Sequence, residues 1–228
     1  MSDTNSRVWA VPLALAAMGL LGLTSSGAFL LRVFFGMWLH ELGHALAAWC
    51  CGVLAFPLPW LTLRGEARSP LFIMLLLGGL AALGHRWRKE VWLAIPLVLL
   101  GVVIPFRHAT TFITFFGDGG ALVLGTALML GAMLLPDDMA LTRGGLRWGY
   151  LVIGAGAVMD VFHTWFAAWR DVAELPLGRS ESSGLSDASR LIDLSGWSEP
   201  NLVRSYLGLF ALCLAVLAGF AVRQLQRR

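Results

Sequence analysis

Charged side chains are scarce in this sequence, and hydrophobic residues take their place. Asp, Glu, Lys and Arg make up 14% of the 228 residues, whereas hydrophobic residues make up 57%. A soluble domain carries roughly 25% charged residues, so this composition excludes an ordinary soluble protein and predicts an integral membrane protein. No basic patch with interleaved aromatic residues is present, so nucleic acid is not a predicted partner.

Cysteine is also scarce, with only Cys50, Cys51 and Cys213 in the chain. All three lie in apolar runs and lack the spacing of metal ligands. They therefore predict small buried hydrophobic residues, and they do not support a disulfide framework.

Long apolar segments fill most of the chain. About 20 helical residues cross a bilayer, and several of the segments reach that length, although the first and the third are short. The sequence therefore predicts an all-α fold, a polytopic transmembrane helical bundle of six or seven spans that forms a single integral membrane domain over 1–228. The first segment lacks a clear cleavage site and is predicted to be a retained membrane helix. The segments are 8–23, 28–52, 70–85, 90–106, 109–135, 146–168 and 202–222.

The second apolar segment contains His40-Glu41-Leu42-Gly43-His44. On a helix the two histidines are one turn apart on a shared face, with Glu41 within reach of a water on a metal bound there. Two imidazoles, a third ligand and an open position are what a catalytic zinc requires, and the glutamate is the base that takes the proton of the water. Carrying these polar groups into a bilayer costs several kcal/mol, so they are expected there only if a function requires them. The pattern therefore predicts a zinc (Zn²⁺) hydrolase site.

The third ligand has two candidates within the predicted spans. Asp118 lies in Gly117–Gly120, where glycines permit a close backbone approach, and Asp160 shares a helix face with His163. Predicted depth in the membrane does not choose between the aspartates, so Asp118 is the first candidate and Asp160 the alternative. His163 is a candidate to hold a carboxylate behind the metal by a hydrogen bond, or to form part of a polar helix–helix contact. Arg32 is expected to extend towards the headgroups.

Two polar segments interrupt the apolar pattern. Prolines and a glycine break any helix over 53–69, which predicts a surface loop or, alternatively, a strand-like re-entrant edge beside the active site. The stretch 169–201 is rich in Ser, Gly, Asp and Glu and predicts a partly ordered extramembrane loop.

Basic residues between the segments predict the orientation. They cluster in three places, each expected on the cytoplasmic side, so the C-terminus is predicted to be cytoplasmic and 169–201 to lie outside. The residues concerned are Arg86, Arg88, Lys89, Arg143, Arg147, Arg223, Arg227 and Arg228.

The His-Glu-Leu-Gly-His helix resembles the zinc-binding helix of the site-2 proteases, which are intramembrane zinc metalloproteases. The resemblance implies zinc on His40 and His44, Glu41 as the catalytic residue, and cleavage of a membrane-protein substrate within the lipid bilayer. Asp118-Gly119 resembles the Leu-Asp-Gly motif that gives this family its third ligand, with Gly117 in place of the leucine.

The sequence departs from the usual pattern of the family. The asparagine expected upstream of the aspartate is absent, and Thr111 or Thr114 are the candidates for its role in holding substrate or oxyanion. This sequence is more similar to a divergent branch of the family, which pairs the zinc helix with a later aspartate in a membrane span and with a Ser-Asp-Ala element. Asp160 and Ser186-Asp187-Ala188 are similar to these, which supports Asp160 as the rival ligand.

Three functions are consistent with these features. The leading hypothesis is an intramembrane zinc metalloendopeptidase that cuts in or near transmembrane segments. The alternative is a non-proteolytic membrane scaffold or regulator that retains the metal-binding helix, and the third is a metal transporter or channel. The sequence does not predict the oligomeric state.

Overall fold

The computed structural model describes residues 3–86, 94–136, 139, 142, 145–180 and 184–226. Over these residues the chain is mostly helical. The helices are α1 (Asp3–Leu21), α2 (Ser25–Leu30), a π-helix (Leu31–Gly36), α3 (Met37–Cys50), α4 (Pro70–Arg86), α5 (Ala94–Val103), α6 (Phe106–Phe115), α7 (Asp118–Leu134), α8 (Leu146–Arg170), a 3-10 turn (Val172–Glu174), α9 (Asp187–Asp193) and α10 (Glu199–Gln226). The strands are β1 (Val53–Leu58), β2 (Leu61–Arg68), β3 (Arg179–Ser180) and β4 (Gly184–Leu185).

Two helices, α8 and α10, are each long and apolar enough to cross a membrane. Two bent pairs raise the number of candidate spans to four: α1 meets the helix that ends in α3 at 119°, and α6 meets α7 at 57°. The structure therefore supports two to four spans over the described residues, fewer than the six or seven predicted. The difference arises because α4 and α5 have only 17 and 10 residues, and because α1 and the helix that ends in α3 count as one bent pair.

The main core lies around α8, which packs against α1, α7 and α10. Gly154 permits the approach of α7, because a Cβ at this position would lie 2.5 Å from the carbonyl oxygen of Gly125. Trp165 of α8 stacks on Tyr206 of α10 with 4.1 Å between ring centroids. Both aromatic side chains are fully buried, and Trp165 lies within hydrogen-bonding distance of Asp118.

The segment 53–69 is an antiparallel hairpin, so the predicted surface loop is wrong and the strand-like alternative is correct. Ala55 pairs with Arg64, and Pro57 pairs with Thr62. Pro57 is tolerated because a two-stranded sheet leaves one side of each strand free of ladder hydrogen bonds. The hairpin packs against α3, which brings β2 beside the predicted zinc helix.

The polar stretch 169–201 contains more regular structure than predicted. It holds the end of α8, the 3-10 turn, the β3–β4 pair and α9, and α9 packs against α6. Residues 181–183 within it lie outside the described part of the chain. Most of the basic residues behind the orientation prediction lie outside it as well, namely Arg88, Lys89, Arg143, Arg227 and Arg228.

Candidate metal centre

Helix α3 brings the two predicted histidine ligands together. His40 and His44 lie one turn apart on the same face, and their Nε2 atoms are 3.1 Å from each other. The two rings meet edge to face, with 4.7 Å between centroids. Both imidazoles therefore point one nitrogen at the same small volume.

A third polar atom reaches this volume from Asp187, at the start of α9. Its Oδ2 atom lies 2.8 Å from Nε2 of His44 and 3.2 Å from Nε2 of His40. These three residues form the cluster of the described residues that could hold a metal ion. Ser186 caps α9 by accepting a hydrogen bond from the backbone N–H of Ser189, which fixes the direction in which Asp187 enters the site.

The outer nitrogen of each histidine determines which tautomer is present. Nδ1 of His40 lies 2.8 Å from Oδ1 of Asp118, and Nδ1 of His44 lies 2.7 Å from the carbonyl oxygen of Ile113. Because a carbonyl and a carboxylate only accept hydrogen bonds, the proton of a neutral imidazole sits on Nδ1 and the lone pair on Nε2. Two nitrogen lone pairs and a carboxylate oxygen thus converge, which is a donor set for a cation.

The spacing of the donors also fits a metal ion. In a tetrahedral site with bonds of roughly 2.0–2.1 Å, neighbouring donor atoms lie about 3.3 Å apart. The three observed separations of 2.8, 3.1 and 3.2 Å are close to that value. Burial opposes the charge of Asp187, but without a metal ion the imidazoles of His44 and His40, when protonated at Nε2, hold the pKa of its carboxyl well below the usual range; a bound cation would take the place of those protons. Asp187 is therefore ionised near neutral pH, as a metal ligand must be.

Asp118, the first candidate for the third ligand, lies on the other side of the His40 ring. Its Oδ1 accepts from Nδ1 of His40, and its Oδ2 accepts from the indole N–H of Trp165 at 2.8 Å. Both oxygens are thus engaged away from the converging Nε2 atoms. This is the position of a carboxylate that orients a histidine ligand.

Asp160, the alternative candidate, lies beyond Asp118 and binds Arg32. A guanidinium nitrogen of Arg32 is 3.1 Å from Oδ2 of Asp160 and 3.4 Å from Oδ1 of Asp118. Gly36 makes room for Asp160, because a Cβ at this position would lie 2.1 Å from Oδ2. The expectation that Arg32 extends towards the headgroups is therefore wrong: the side chain leaves the π-helix inward and pairs with two buried carboxylates.

Glu41, the predicted base, is buried on α3 and held by the hairpin. The hydroxyl of Thr62 on β2 lies 2.7 Å from Oε2 of Glu41 and 2.8 Å from its backbone carbonyl oxygen. Glu41 and the three cluster residues line one cavity of about 170 Å³. The carboxylate is thus oriented by a neighbouring strand beside this cavity.

Gly117 lies in the bend between α6 and α7, directly against both imidazoles. A Cβ at this position would lie 2.6 Å from Cε1 of His40 and 2.6 Å from Nε2 of His44. The backbone carbonyl of Ile113, just before the bend, binds His44. A larger residue, such as the leucine of the site-2 protease motif, does not fit here without moving the rings.

The remaining predicted residues lie elsewhere. Nε2 of His163 is 2.9 Å from the carbonyl oxygen of Gly19 on α1, so His163 makes a polar helix–helix contact. The hydroxyl of Thr111 is 2.9 Å from that of Ser195. Thr111 and Thr114 are not among the described residues that line the metal cavity.

Asp187 is the residue that the sequence analysis did not select. It follows His44 by 143 residues, and no local spacing links the two. The available signal was the Ser-Asp-Ala element itself, which combines a helix cap with a carboxylate at the next position.

Comparisons with known proteins do not assign this chain to a family. No protein-family model matches it, and no curated protein or solved structure is significantly similar.

Proposed function

We propose that this protein is an intramembrane zinc metalloendopeptidase similar to the site-2 proteases. The observation that supports the proposal most directly is the convergence of three metal-ligand atoms, from His40, His44 and Asp187, beside the buried carboxylate of Glu41. In this proposal Asp187 is the third ligand. Asp118 instead holds the tautomer of His40, because both of its oxygens already accept hydrogen bonds on the far side of the ring.

The residues of the site have distinct chemical roles in this proposal. His40, His44 and Asp187 would hold the zinc, which when bound would lower the pKa of a water towards about 7. Glu41 would accept a proton from the attacking water and deliver it to the leaving amine. Thr62 keeps Glu41 in place through the contact of 2.7 Å between its hydroxyl and Oε2.

The surroundings of the cluster favour a substrate within the membrane. Its histidines lie in one of the bent apolar helix pairs, and α8, a candidate span, supplies Trp165 to the cavity. We infer a multi-pass protein in which α4 and α5 are also inserted in the bilayer, which would raise the number of spans from four to six. The C-terminus is inferred to lie in the cytoplasm. A substrate helix must unwind before cleavage, because an intact helix hides its carbonyl groups.

The substitution Glu41→Gln tests the proposal in purified full-length protein. We expect the variant to bind zinc as the wild type does and to lose cleavage of transmembrane reporter peptides, because the amide cannot accept the proton. Metal analysis and mass spectrometry of the products measure the two effects. Glu66→Gln, an exposed change on β2, is the matched control and should retain activity. Undiminished cleavage by Glu41→Gln would remove Glu41 as the base.

The non-proteolytic scaffold is the second candidate, and one observation favours it. The described residues that line the cavity include no asparagine or glutamine to donate a side-chain amide hydrogen bond to an oxyanion. A scaffold would bind zinc at the same three residues and leave every reporter peptide intact in both the wild type and Glu41→Gln.

A further inference from the structure

Two arginines, Arg64 and Arg190, line the metal cavity together with the cluster and Glu41. Arg64 follows Thr62 by two residues on β2, in a part of the strand where the pairing with β1 is regular. Because side chains two residues apart point to the same face of a strand, Arg64 projects on the same side as the hydroxyl that holds Glu41. Arg190 follows Asp187 by three residues on α9, which places it on the same helix face as the ligand.

The balance of charge in the cavity changes when a metal ion binds. Its described lining contains three carboxylates and three guanidinium groups, contributed by Arg32, Glu41, Arg64, Asp118, Asp187 and Arg190. A divalent cation therefore makes the cavity positive, and Asp160 behind Arg32 reduces this excess without removing it. A site with net positive charge favours an anionic partner.

Of the three arginines, Arg64 is the one best placed to bind an anionic partner. Arg32 is already held by Asp118 and Asp160, and Nε of Arg190 donates to the carbonyl oxygen of Leu185 at 3.1 Å. Arg64 is partly buried. Burial and the nearby Arg190 guanidinium lower the pKa of Arg64, although Asp187 acts in the opposite direction. Asp187 thus offsets only part of the positive charge that Arg64 and Arg190 bring to this place.

A second groove continues the polar surface away from the metal. Arg64 and Arg190 line it as well, together with Thr110, Thr114, Leu185, Leu194 and Ser195. A peptide that extends from the cluster across the two arginines would therefore meet positive charge. Guanidinium groups bind carboxylates in a fork geometry, through two parallel hydrogen bonds.

We propose that Arg64 binds a carboxylate of the substrate and so makes the enzyme selective for peptides with an acidic group beside the scissile bond. This inference rests on the proposed protease function and names its substrate class. The carboxylate has two sources in a peptide, an Asp or Glu side chain or the free C-terminus. An internal side chain implies endopeptidase cleavage, whereas the C-terminal carboxylate implies trimming from the end.

Binding to the Glu41→Gln variant tests the carboxylate preference without requiring cleavage. The probes are fluorescent Leu/Ala transmembrane peptides that carry one Glu, Gln or Lys at successive positions, each with a free or an amidated C-terminus. We expect zinc-loaded Glu41→Gln to bind the best Glu peptide about tenfold more tightly than its Gln counterpart, since a charge-assisted hydrogen bond is lost with the charge. If the C-terminal carboxylate is the ligand, the free and amidated peptides differ instead.

Substitutions at Arg64 then assign the preference. Added to Glu41→Gln, Arg64→Gln should remove it and Arg64→Glu should reverse it towards Lys. Glu174→Gln, an exposed change that lies in neither groove, should leave it unchanged. Zinc content equal to that of the parent variant verifies that the site is intact. Equal affinity for the Glu, Gln and Lys peptides, a preference that persists in Arg64→Gln, or no binding of any peptide would overturn the inference. Carboxylate-selective binding without cleavage by the wild type would instead retain Arg64 and overturn the protease function.

Discussion

At the scale of single residues, each donor atom of the cluster is held by a partner outside it. His40 is oriented by Asp118, His44 by the backbone carbonyl of Ile113, and Asp187 by its place in the first turn of α9. Asp118, behind a histidine, and Asp187, facing the converging nitrogens, are the same type of residue, so residue type alone does not separate their roles. The nitrogen that each one faces does separate them.

Zinc affinity should therefore fall to different degrees in two aspartate variants. Asp118→Asn should weaken binding by roughly 10–100-fold, the range typical of residues behind a ligand. Asp187→Asn should weaken it further, because the charged ligand itself is lost. Competition with a chromophoric chelator measures both constants. Asp193→Asn, an exposed change at the other end of α9, is the control and should bind as the wild type does. The reverse order would make Asp118 the ligand.

At the scale of elements, the site depends on three separate breaks in the helical pattern. The π-helix turns Arg32 inward, the hairpin brings Thr62 to Glu41, and the bend between α6 and α7 places Gly117 against the imidazoles. Each break permits an approach of backbone or side chain that a continuous helix would block. At the bend, a Cβ on Gly117 would collide with both imidazoles.

Substitution of Gly117 by alanine tests that bend. The backbone at Gly117 has φ of −61°, which alanine adopts readily, so any effect comes from contact of the new methyl group with His40 and His44. We expect Gly117→Ala to lower zinc occupancy and activity together. Gly149→Ala on the exposed face of α8 is the control, because a Cβ there meets nothing within 4 Å. Full zinc occupancy in Gly117→Ala would show that the rings move aside without cost.

At the scale of the whole molecule, the cluster joins distant parts of the chain. His44 and Asp187 are 143 residues apart, and they link a bent helix pair to the polar stretch after α8. A metal ion held by both stabilises the folded state by mass action, because the unfolded chain does not assemble the three ligands.

Zinc should accordingly raise the thermal stability of the detergent-solubilised protein. A free concentration of about 100 times Kd contributes about 2.7 kcal/mol, and a chelator removes this contribution. The melting temperature measured with and without chelator gives the effect. In Asp187→Asn the two melting temperatures should coincide, whereas in Gly149→Ala they should differ as in the wild type. An equal chelator effect in Asp187→Asn would place the metal elsewhere.

The sequence by itself determined the features that depend on local pattern. The apolar segments coincide with the helices to within a few residues over most of the described chain, because helix formation follows from composition and from the positions of Gly and Pro. The His-Glu-Leu-Gly-His spacing likewise places His40 and His44 on one face, because 3.6 residues make one turn.

The tertiary structure alone decided which carboxylate faces the converging Nε2 atoms of His40 and His44. It also decided which carboxylates pair with Arg32. Asp118, Asp160 and Asp187 are all acidic residues in plausible contexts, and only the packing of α6, α7 and α9 around α3 separates them. The inward direction of Arg32 depends on two aspartates that follow it by 86 and 128 residues. Such contacts are set by the fold as a whole, and no periodicity along the chain records them.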